Sequence, residues 1–401
     1  MIAATPDDVR ALAAPLRKVH LDSLARVSHD RVVDSLRRLA TGWRSGDLAA
    51  SRRARQLTGM FGYDAVSLSL NAILDCLQPA HLNSLIDSER ARSRPGFPLI
   101  GHVIAGNTPL LGWTSMIRAL LVRSASLVKL PSESADVAVW SRLFVDALTE
   151  VDGPLAATIA LGSWPGEDSD LTGVLCTISD LVVAYGSDDT IHSLATMRGG
   201  LPFVGYGHRV SFGMVLPDAN LKEAAEGLAL DTLLYDQGGC LSPQTIFVVG
   251  ESGRAADFAQ ALAKALPERQ AQLPLSPRDE GIATSINNAR ALARMDGCRL
   301  WEDEALAWTV VLRRTPEFAP SPTHGVVSVQ PLSTWEKLTK ALTPVGGALQ
   351  GCAIASDSPP DDLLDLLKIV GVSYVCEPGR MQAPPLTWRE DGISVLSSLM
   401  P

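Results

Sequence analysis

The sequence predicts an α/β protein, a doubly wound parallel sheet preceded by a helical region and followed by a second α/β segment. Three observations predict it. From residue 97 onward, short apolar runs of strand length alternate with helical periodicity, as in a parallel sheet wrapped by crossover helices. Gly, Ser, Asn and Asp close several of those runs. Residues 6–93 instead repeat apolar side chains at helical spacing.

Within that first stretch, Leu12, Leu16, Val19, Leu21, Leu24 and Val27 form one stripe, which Val32, Leu36 and Leu39 continue. Gly42, Gly46 and Gly62 mark breaks. The stretch carries no catalytic signature, and its expected role is packing. The first strand is expected at 98–104, ending in Ala105-Gly106-Asn107, with a helix from Thr108-Pro109 to Leu121. A strand at 126–130 and a helix from Ser132-Glu133-Ser134 to about 148 follow, then strands at 156–161 and 181–185. The last of these closes on Gly186-Ser187-Asp188-Asp189. Ligands of such sheets bind beyond the carboxyl ends of the strands, the edge that Asn107, Lys129 and Gly186-Ser187 occupy.

The second half repeats the alternation. Strands are expected at 210–216, 245–249, 307–313 and 325–330, with helices at 220–234, 254–266, 281–295, 334–342 and 361–368. A proline-rich connection lies past 270, and the tail from Gly379 to Trp388 is irregular.

Composition narrows the function. The chain has 401 residues, enough for two or three domains. Lys+Arg 35 against Asp+Glu 44 leaves a formal charge of −9, which argues against nucleic acid, whose phosphates need Lys and Arg. Arg118 interrupts the best apolar run, 109–122, well short of the roughly 18 residues of a membrane span. Asp7, Asp8 and Arg10 open the chain where a signal segment would be basic and then apolar, so a cytoplasmic protein is expected. Cysteines at 76, 176, 240, 298, 352 and 376 form no C-x-x-C pair, and the 7 histidines are scattered. That suits a reducing compartment and argues against a disulfide framework or a bound metal.

Cys240 stands in Asp236-Gln237-Gly238-Gly239-Cys240-Leu241-Ser242-Pro243-Gln244, ahead of the apolar run 245–249. Glycines at 238 and 239 allow close backbone approach and permit positive φ. Two readings stay open at this point: a presented, reactive thiol, or a small buried hydrophobe, the commoner fate of free cysteine. Cys298, Cys352 and Cys376 lack that setting and are expected to be structural.

No G-x-G-x-x-G opens the first βα turn, so the common dinucleotide fingerprint is missing. Lys129 can reach a ribose or phosphate, Glu133 can accept from hydroxyls, and Gly186-Ser187 can approach a pyrophosphate at a helix start. Each has a plainer reading, a solvated charge or a turn with an N-cap. Their common place at successive strand ends raises them together.

The order Ala105-Gly106-Asn107-Thr108-Pro109, Val128-Lys129-Leu130-Pro131-Ser132-Glu133, Ala184-Tyr185-Gly186-Ser187 and a late cysteine resembles the aldehyde dehydrogenase superfamily. Three blocks narrow the resemblance to its LuxC-like acyl-CoA reductases, the fatty-acyl reductase branch. They are Gly207-His208-Arg209-Val210-Ser211-Phe212-Gly213, Asp236-Gln237 through Gln244, and Gly379-Arg380-Met381-Gln382 with Pro384-Pro385-Leu386 and Asp391-Gly392. The resemblance covers about residues 95–395.

It implies an aldehyde-dehydrogenase-like fold: residues 1–95 a helical part of the cofactor domain, 96–209 the NAD(P)-binding domain, 210–376 a catalytic domain carrying Cys240. The tail 377–401 would return over the cofactor domain or an oligomer interface. It further implies that Cys240 is the acyl-accepting nucleophile and Asn107 the oxyanion donor. Lys129, Ser132 and Glu133 would hold the adenosine ribose side of NADPH, and Gly186 and Ser187 its pyrophosphate and nicotinamide side. NADH is an alternative cofactor. Acyl-CoA or acyl-carrier-protein thioesters are the implied substrates, and a homo-oligomer the implied assembly. Aldehyde-oxidising relatives carry a catalytic Glu where Gly205 falls in Gly205-Tyr206-Gly207-His208-Arg209. Without it an acyl-enzyme should outlast water, and Gly205→Glu is expected to raise hydrolysis. Oxidation of aldehydes, CoA-acylating or plain, and a non-reducing acyl-holding role are the competing readings. His208 or Arg209 could lower the thiol pKa, though His208 is more readily a structural or solvent-facing residue than a base; His102 is expected to be a hydrogen-bonded strand residue and His324 a loop residue.

Overall fold

The computed structural model describes residues 2–251 and 253–401; the side chains of Leu21 and Asp22 also lie outside the described residues, so the expected inward Leu21 is not placed. Two compact units divide the chain: Met1–His208 with Pro385–Pro401, and Arg209–Pro384.

In the first unit, helices Pro6–Asp22, His29–Ser45, Ala49–Ala54, Tyr63–Cys76 and Pro79–Ser88 precede the sheet. Val32, Leu36 and Leu39 are fully buried along one face, the stripe their spacing predicts. The sheet consists of β1 (Leu99–Val103), β2 (Ala125–Leu130), β3 (Ile159–Ser163), β4 (Leu181–Tyr185) and β5 (Phe203–Tyr206). All pairings are parallel and the order is β3-β2-β1-β4-β5. The chain therefore reverses its winding at β1, with β2 on one side and β4 on the other, the topological switch point where open α/β sheets bind ligands.

The third strand corrects the expectation of 156–161. Residues Gly153–Ala156 form a short helix, because Asp152 accepts from Leu155 N at 3.1 Å and Pro154 lies in the first turn. Extended structure begins only at Ile159. The helix Asp188–Arg198 begins at Ser187, where the sequence places a helix start, whereas strand β5 and the helix Ser169–Ile178 are additions to the expected elements; Pro202, Gly205 and Gly207 interrupt the apolar residues around β5.

His102 occupies the middle of β1, wholly buried, with Nδ1 2.7 Å from Ser115 Oγ and Nε2 3.2 Å from Ser126 Oγ. Burial pushes its pKa down to about 3, so it is a neutral, hydrogen-bonded core residue.

The last residues are tied into this unit by Phe97 N donating to Leu399 O at 3.1 Å and, above all, by the Glu89 carboxylate. Glu89 accepts from Ser397 N at 2.9 Å, Ser397 Oγ at 2.8 Å, and Leu396 N, Val395 N and Arg389 Nη2 at 3.2 Å. Burial would raise its pKa, but these bonds outweigh burial and hold it below the usual range.

The second unit contains β6 (Val210–Val215), β7 (Pro243–Val249), β8 (Arg299–Glu302), β9 (Thr309–Leu312), β10 (Val326–Leu332), β11 (Leu349–Ala355) and β12 (Tyr374–Cys376). Their order is β12-β11-β6-β7-β10-β9-β8, parallel throughout except between β8 and β9. Strands β8, β11 and β12 add to those the sequence predicts. Phe212 and Phe247 are fully buried and meet edge to face at 5.8 Å, with Met214, Leu338, Cys352, Leu363 and Leu367 around them. Each such apolar side chain contributes about 1.5–3 kcal/mol on burial. No helix among the described residues is long and apolar enough to cross a membrane.

Candidate active site

Cys240 lies three residues before β7, at the amino edge of its sheet, and is half-buried. The parallel pairing brings the starts of β6 and β10 to the same edge, so Arg209 and His324 precede strands that flank it. The approach to the cysteine is an unusual backbone. Tyr235, Asp236 and Gln237 all adopt the left-handed region, at φ 56, 52 and 61, within a 3-10 turn. For residues with a Cβ this costs about 1–2 kcal/mol each, so surrounding bonds must hold it.

This corrects the expected role of the glycines. Gly238 has φ −77 and Gly239 is not among the positive-φ residues; the left-handed turn falls on side-chain-bearing residues before them. What Gly239 supplies is proximity: a β-carbon there would sit 2.7 Å from Gln382 Nε2.

The holding bonds come from distant parts of the second unit. Asp236, 3% exposed at its side chain, accepts from Arg278 Nη1 at 2.6 Å and Nη2 at 2.9 Å, from His324 Nδ1 at 2.7 Å, and from Ser276 Oγ. His324 N also donates to Asp236 O at 3.2 Å. Burial alone would raise the Asp236 pKa, but the bonds from His324, Arg278 and Ser276 prevail and lower it, so the group is a carboxylate. Gln237 Nε2 donates to Pro243 O at 2.8 Å and Val326 O at 3.0 Å, joining the turn to β7 and β10. Ser211 Oγ of β6 donates to Cys240 O at 2.8 Å and accepts from Gly351 N at 3.0 Å. Gln382 Nε2 donates to Ser242 Oγ at 2.9 Å.

The segment bearing Gln382 is itself anchored by Asp231, which is wholly buried and accepts from Gly379 N at 2.6 Å and Met381 N at 3.0 Å. Burial pushes its pKa up to about 7, against the opposing effect of those two N–H groups. Burial likewise pushes the Cys352 and Cys376 thiols up, which disfavours the thiolate at both, while Cys298 is half-buried.

In the first unit, the parallel register sets Val103 beside Lys129 and beside Ala184. The carboxyl ends of β1, β2 and β4 therefore share an edge, where the chain continues into Asn107, into Ser132 and Glu133, and into Gly186 and Ser187. Asn107, Ser132, Glu133 and Ser187 are exposed and Gly186 half-buried. Lys129 is not the solvated charge of the plainer reading: it is 6% exposed, and burial lowers its pKa, partly offset by Glu133 and Glu167. Ser187 caps the helix Asp188–Arg198, accepting from Thr190 N at 3.3 Å, and a β-carbon on Gly186 would press on Thr190 at 3.0 Å. His208 is exposed and donates its N–H to Asp188 Oδ1 at 2.8 Å.

Gly205 lies in β5 opposite Ala184. A β-carbon there would meet Ile191 Cγ2 at 2.6 Å and Phe203 Cε1 at 2.7 Å. Gly205→Glu therefore cannot add a base without displacing that packing, and it is not a clean test of hydrolysis.

Sequence reasoning missed Asp236, Arg278, His324, Gln382 and Asp231 as supports of the cysteine turn. A polar Asp-Gln pair directly before Gly-Gly-Cys was the one local signal; Arg278 and His324 lie 42 and 88 positions from Asp236.

Comparisons with known proteins follow the same line. The profile described as acyl-CoA reductase (LuxC) matches residues 24–401. A long-chain acyl-protein thioester reductase of Aliivibrio fischeri is 28% identical over 239 residues, 58% of this chain and 48% of that protein. Its counterpart in Vibrio harveyi is 25% identical over 316 residues, 73% of this chain and 65% of that one. The matched region thus spans about half to two thirds of the length of these relatives. The crystal structure of an NAD-dependent aldehyde dehydrogenase from Sinorhizobium meliloti superposes with a TM-score of 0.66 at 17% identity, covering 94% of this chain and 80% of that one. That likeness shows an aldehyde-dehydrogenase-like fold, and the profile match shows the family: this chain belongs to the LuxC acyl-CoA reductases.

Proposed function

We propose that the protein reduces an acyl thioester to an aldehyde through an acyl-enzyme on Cys240. The observation that carries this reading is the half-buried thiol held on a braced, left-handed turn in a chain of the LuxC family. The names of the relatives, long-chain acyl-protein thioester reductases, support the substrate class.

The residues at the carboxyl edge of the first sheet fit a nicotinamide dinucleotide. Lys129 is a buried cation at the switch-point edge, with Ser132 and Glu133 beyond it as hydroxyl partners. Asp188 and Asp189 occupy the first turn of the helix that Ser187 caps, so that helix start offers little positive field, and Lys129 carries the electrostatic part of the fit. We assign the adenosine ribose side to Lys129, Ser132 and Glu133, and the pyrophosphate and nicotinamide side to Gly186 and Ser187. NADPH, when bound, supplies the hydride and takes no part in forming the acyl-enzyme.

The thiolate of Cys240 attacks the thioester carbonyl. A new C–S bond forms, the bond to the donor sulfur breaks, and the donor leaves as a thiol after taking a proton. Asn107 Nδ2 and the Cys240 N–H are assigned as the donors that stabilise the oxyanion; removing one such donor typically costs about 3–4 kcal/mol of barrier. Reduction of the acyl carbon leaves a thiohemiacetal on Cys240, whose collapse releases aldehyde and restores the thiol. NADPH and NADH oxidation measured with acyl-CoAs of several chain lengths tests the activity. Aldehyde formed in step with nucleotide oxidation supports it, and thioester consumption without nucleotide oxidation contradicts it.

A further inference from the structure

We propose that Asp236 is a positioning residue for Cys240: its carboxylate, gripped by Arg278, His324 and Ser276, holds the left-handed turn that sets the direction of the thiol. This rests on the reading of Cys240 as the acyl-accepting nucleophile.

Three consecutive non-glycine residues in the left-handed region are a strained arrangement that the surrounding structure must hold. The side chains that grip the Asp236 carboxylate, Arg278, His324 and Ser276, are all remote from it in sequence. Arg278 grips both oxygens of Asp236, the bidentate geometry that fixes direction as well as distance. Arg278 is further oriented by Leu306 O at 3.0 Å, so the fork is set by the chain beyond it. His324 binds Asp236 twice, by its ring and by its own N–H, and it directly precedes Gly325 and β10. The brace thus refers the turn to two parts of the unit that do not otherwise belong to the cysteine segment. Four residues after Asp236, Cys240 is fixed through its carbonyl by Ser211. Between these anchors Gly238 N donates to Tyr235 O at 2.9 Å and Ser242 N to Gly239 O at 2.9 Å, so the segment is bonded along its length and a shift at Asp236 passes to the sulfur.

The test uses the full chain and the variants Asp236→Asn, Arg278→Lys and His324→Ala. Acylation of Cys240 by octanoyl-CoA and palmitoyl-CoA is followed by intact mass, and alkylation of Cys240 by iodoacetamide is followed separately. Circular dichroism reports folding. A misplacement on the order of 1 Å can cost about 100-fold in rate, so Asp236→Asn is expected to slow acylation about tenfold or more with KM for the thioester nearly unchanged. Arg278→Lys keeps the charge but loses the fork, and is expected to fall between Asp236→Asn and wild type, a partial rescue. Folded Asp236→Asn acylating at the wild-type rate overturns the proposal. If that variant does not fold, Arg278→Lys and His324→Ala decide: wild-type rates in both overturn it, and a fall in kcat at constant KM upholds it. If wild-type Cys240 is never acylated, the functional reading fails instead, and alkylation decides the positioning. A clear change in the Cys240 alkylation rate in Asp236→Asn or Arg278→Lys upholds it, and no change overturns it.

Discussion

Gln382 lies so close over Gly239 that a β-carbon at 239 would approach its Nε2 to 2.7 Å and its Oε1 to 2.8 Å. Gln382 is buried and donates to Ser242, so it has little room to withdraw. Gly239→Ala is expected to destabilise the protein by about 1–3 kcal/mol, the usual cost of overpacking, and to slow acylation of Cys240. Denaturant unfolding and intact-mass kinetics check both; an alanine variant of wild-type stability and rate contradicts this account of the glycine.

Asp231 makes the anchoring of that same segment depend on pH. Its folded pKa is raised to about 7 from an ordinary 3.8. The stability it contributes is fully present below the unfolded value and is lost as pH rises through the folded value. Between pH 5 and 7 the wild type should lose up to about 1.4 kcal/mol per pH unit through this group. Asp231→Asn does not titrate, so its deficit relative to wild type should shrink as pH rises over that range. Thermal unfolding of both proteins from pH 5 to 8 measures the difference, and a constant gap contradicts it.

Lys129 is buried at a cost that Glu133 and Glu167 offset only in part. Lys129→Met keeps the apolar stem and removes the charge, so the unliganded variant should be as stable as wild type or more so. The rise in Tm on adding saturating NADPH, a few kcal/mol of linkage in the wild type, should be much reduced. An undiminished NADPH shift would remove Lys129 from the cofactor site; a larger shift with NADH than with NADPH would reverse the proposed preference.

These residues mark how far the sequence could be read. Strand-length apolar runs placed β1, β2, β4, β6, β7 and β10 because each is buried and bounded by turn residues. Strand β3 slipped because Asp152 and Pro154 convert its apparent start into a helical turn, and β12 was missed because three residues give too short a period. Cys240, Lys129 and Gly186-Ser187 were visible as residue types at strand ends. The brace was not: Asp236, Arg278 and His324 meet only through tertiary structure, and the positive φ falls where no glycine marks it.

Glu89 accounts for how the tail is held in the first unit. Glu89→Ala leaves the N–H groups of Val395, Leu396 and Ser397 without their acceptor. Unsatisfied buried donors cost about 1–3 kcal/mol each, so a loss of several kcal/mol is expected, with residues 385–401 the first to lose hydrogen-exchange protection. Because its pKa is depressed in the fold, the stability Glu89 contributes is present above the unfolded value and lost as pH falls through the folded one. Unchanged protection of the tail in Glu89→Ala contradicts the anchor.

The most direct test of the account is the mass of the protein after brief incubation with an acyl thioester and no nucleotide. Wild type should gain one acyl group, mapped to the peptide containing Cys240, and lose it as aldehyde when NADPH is added. Cys240→Ala should gain none. Acylation at another residue, or aldehyde production by Cys240→Ala, would contradict the covalent route.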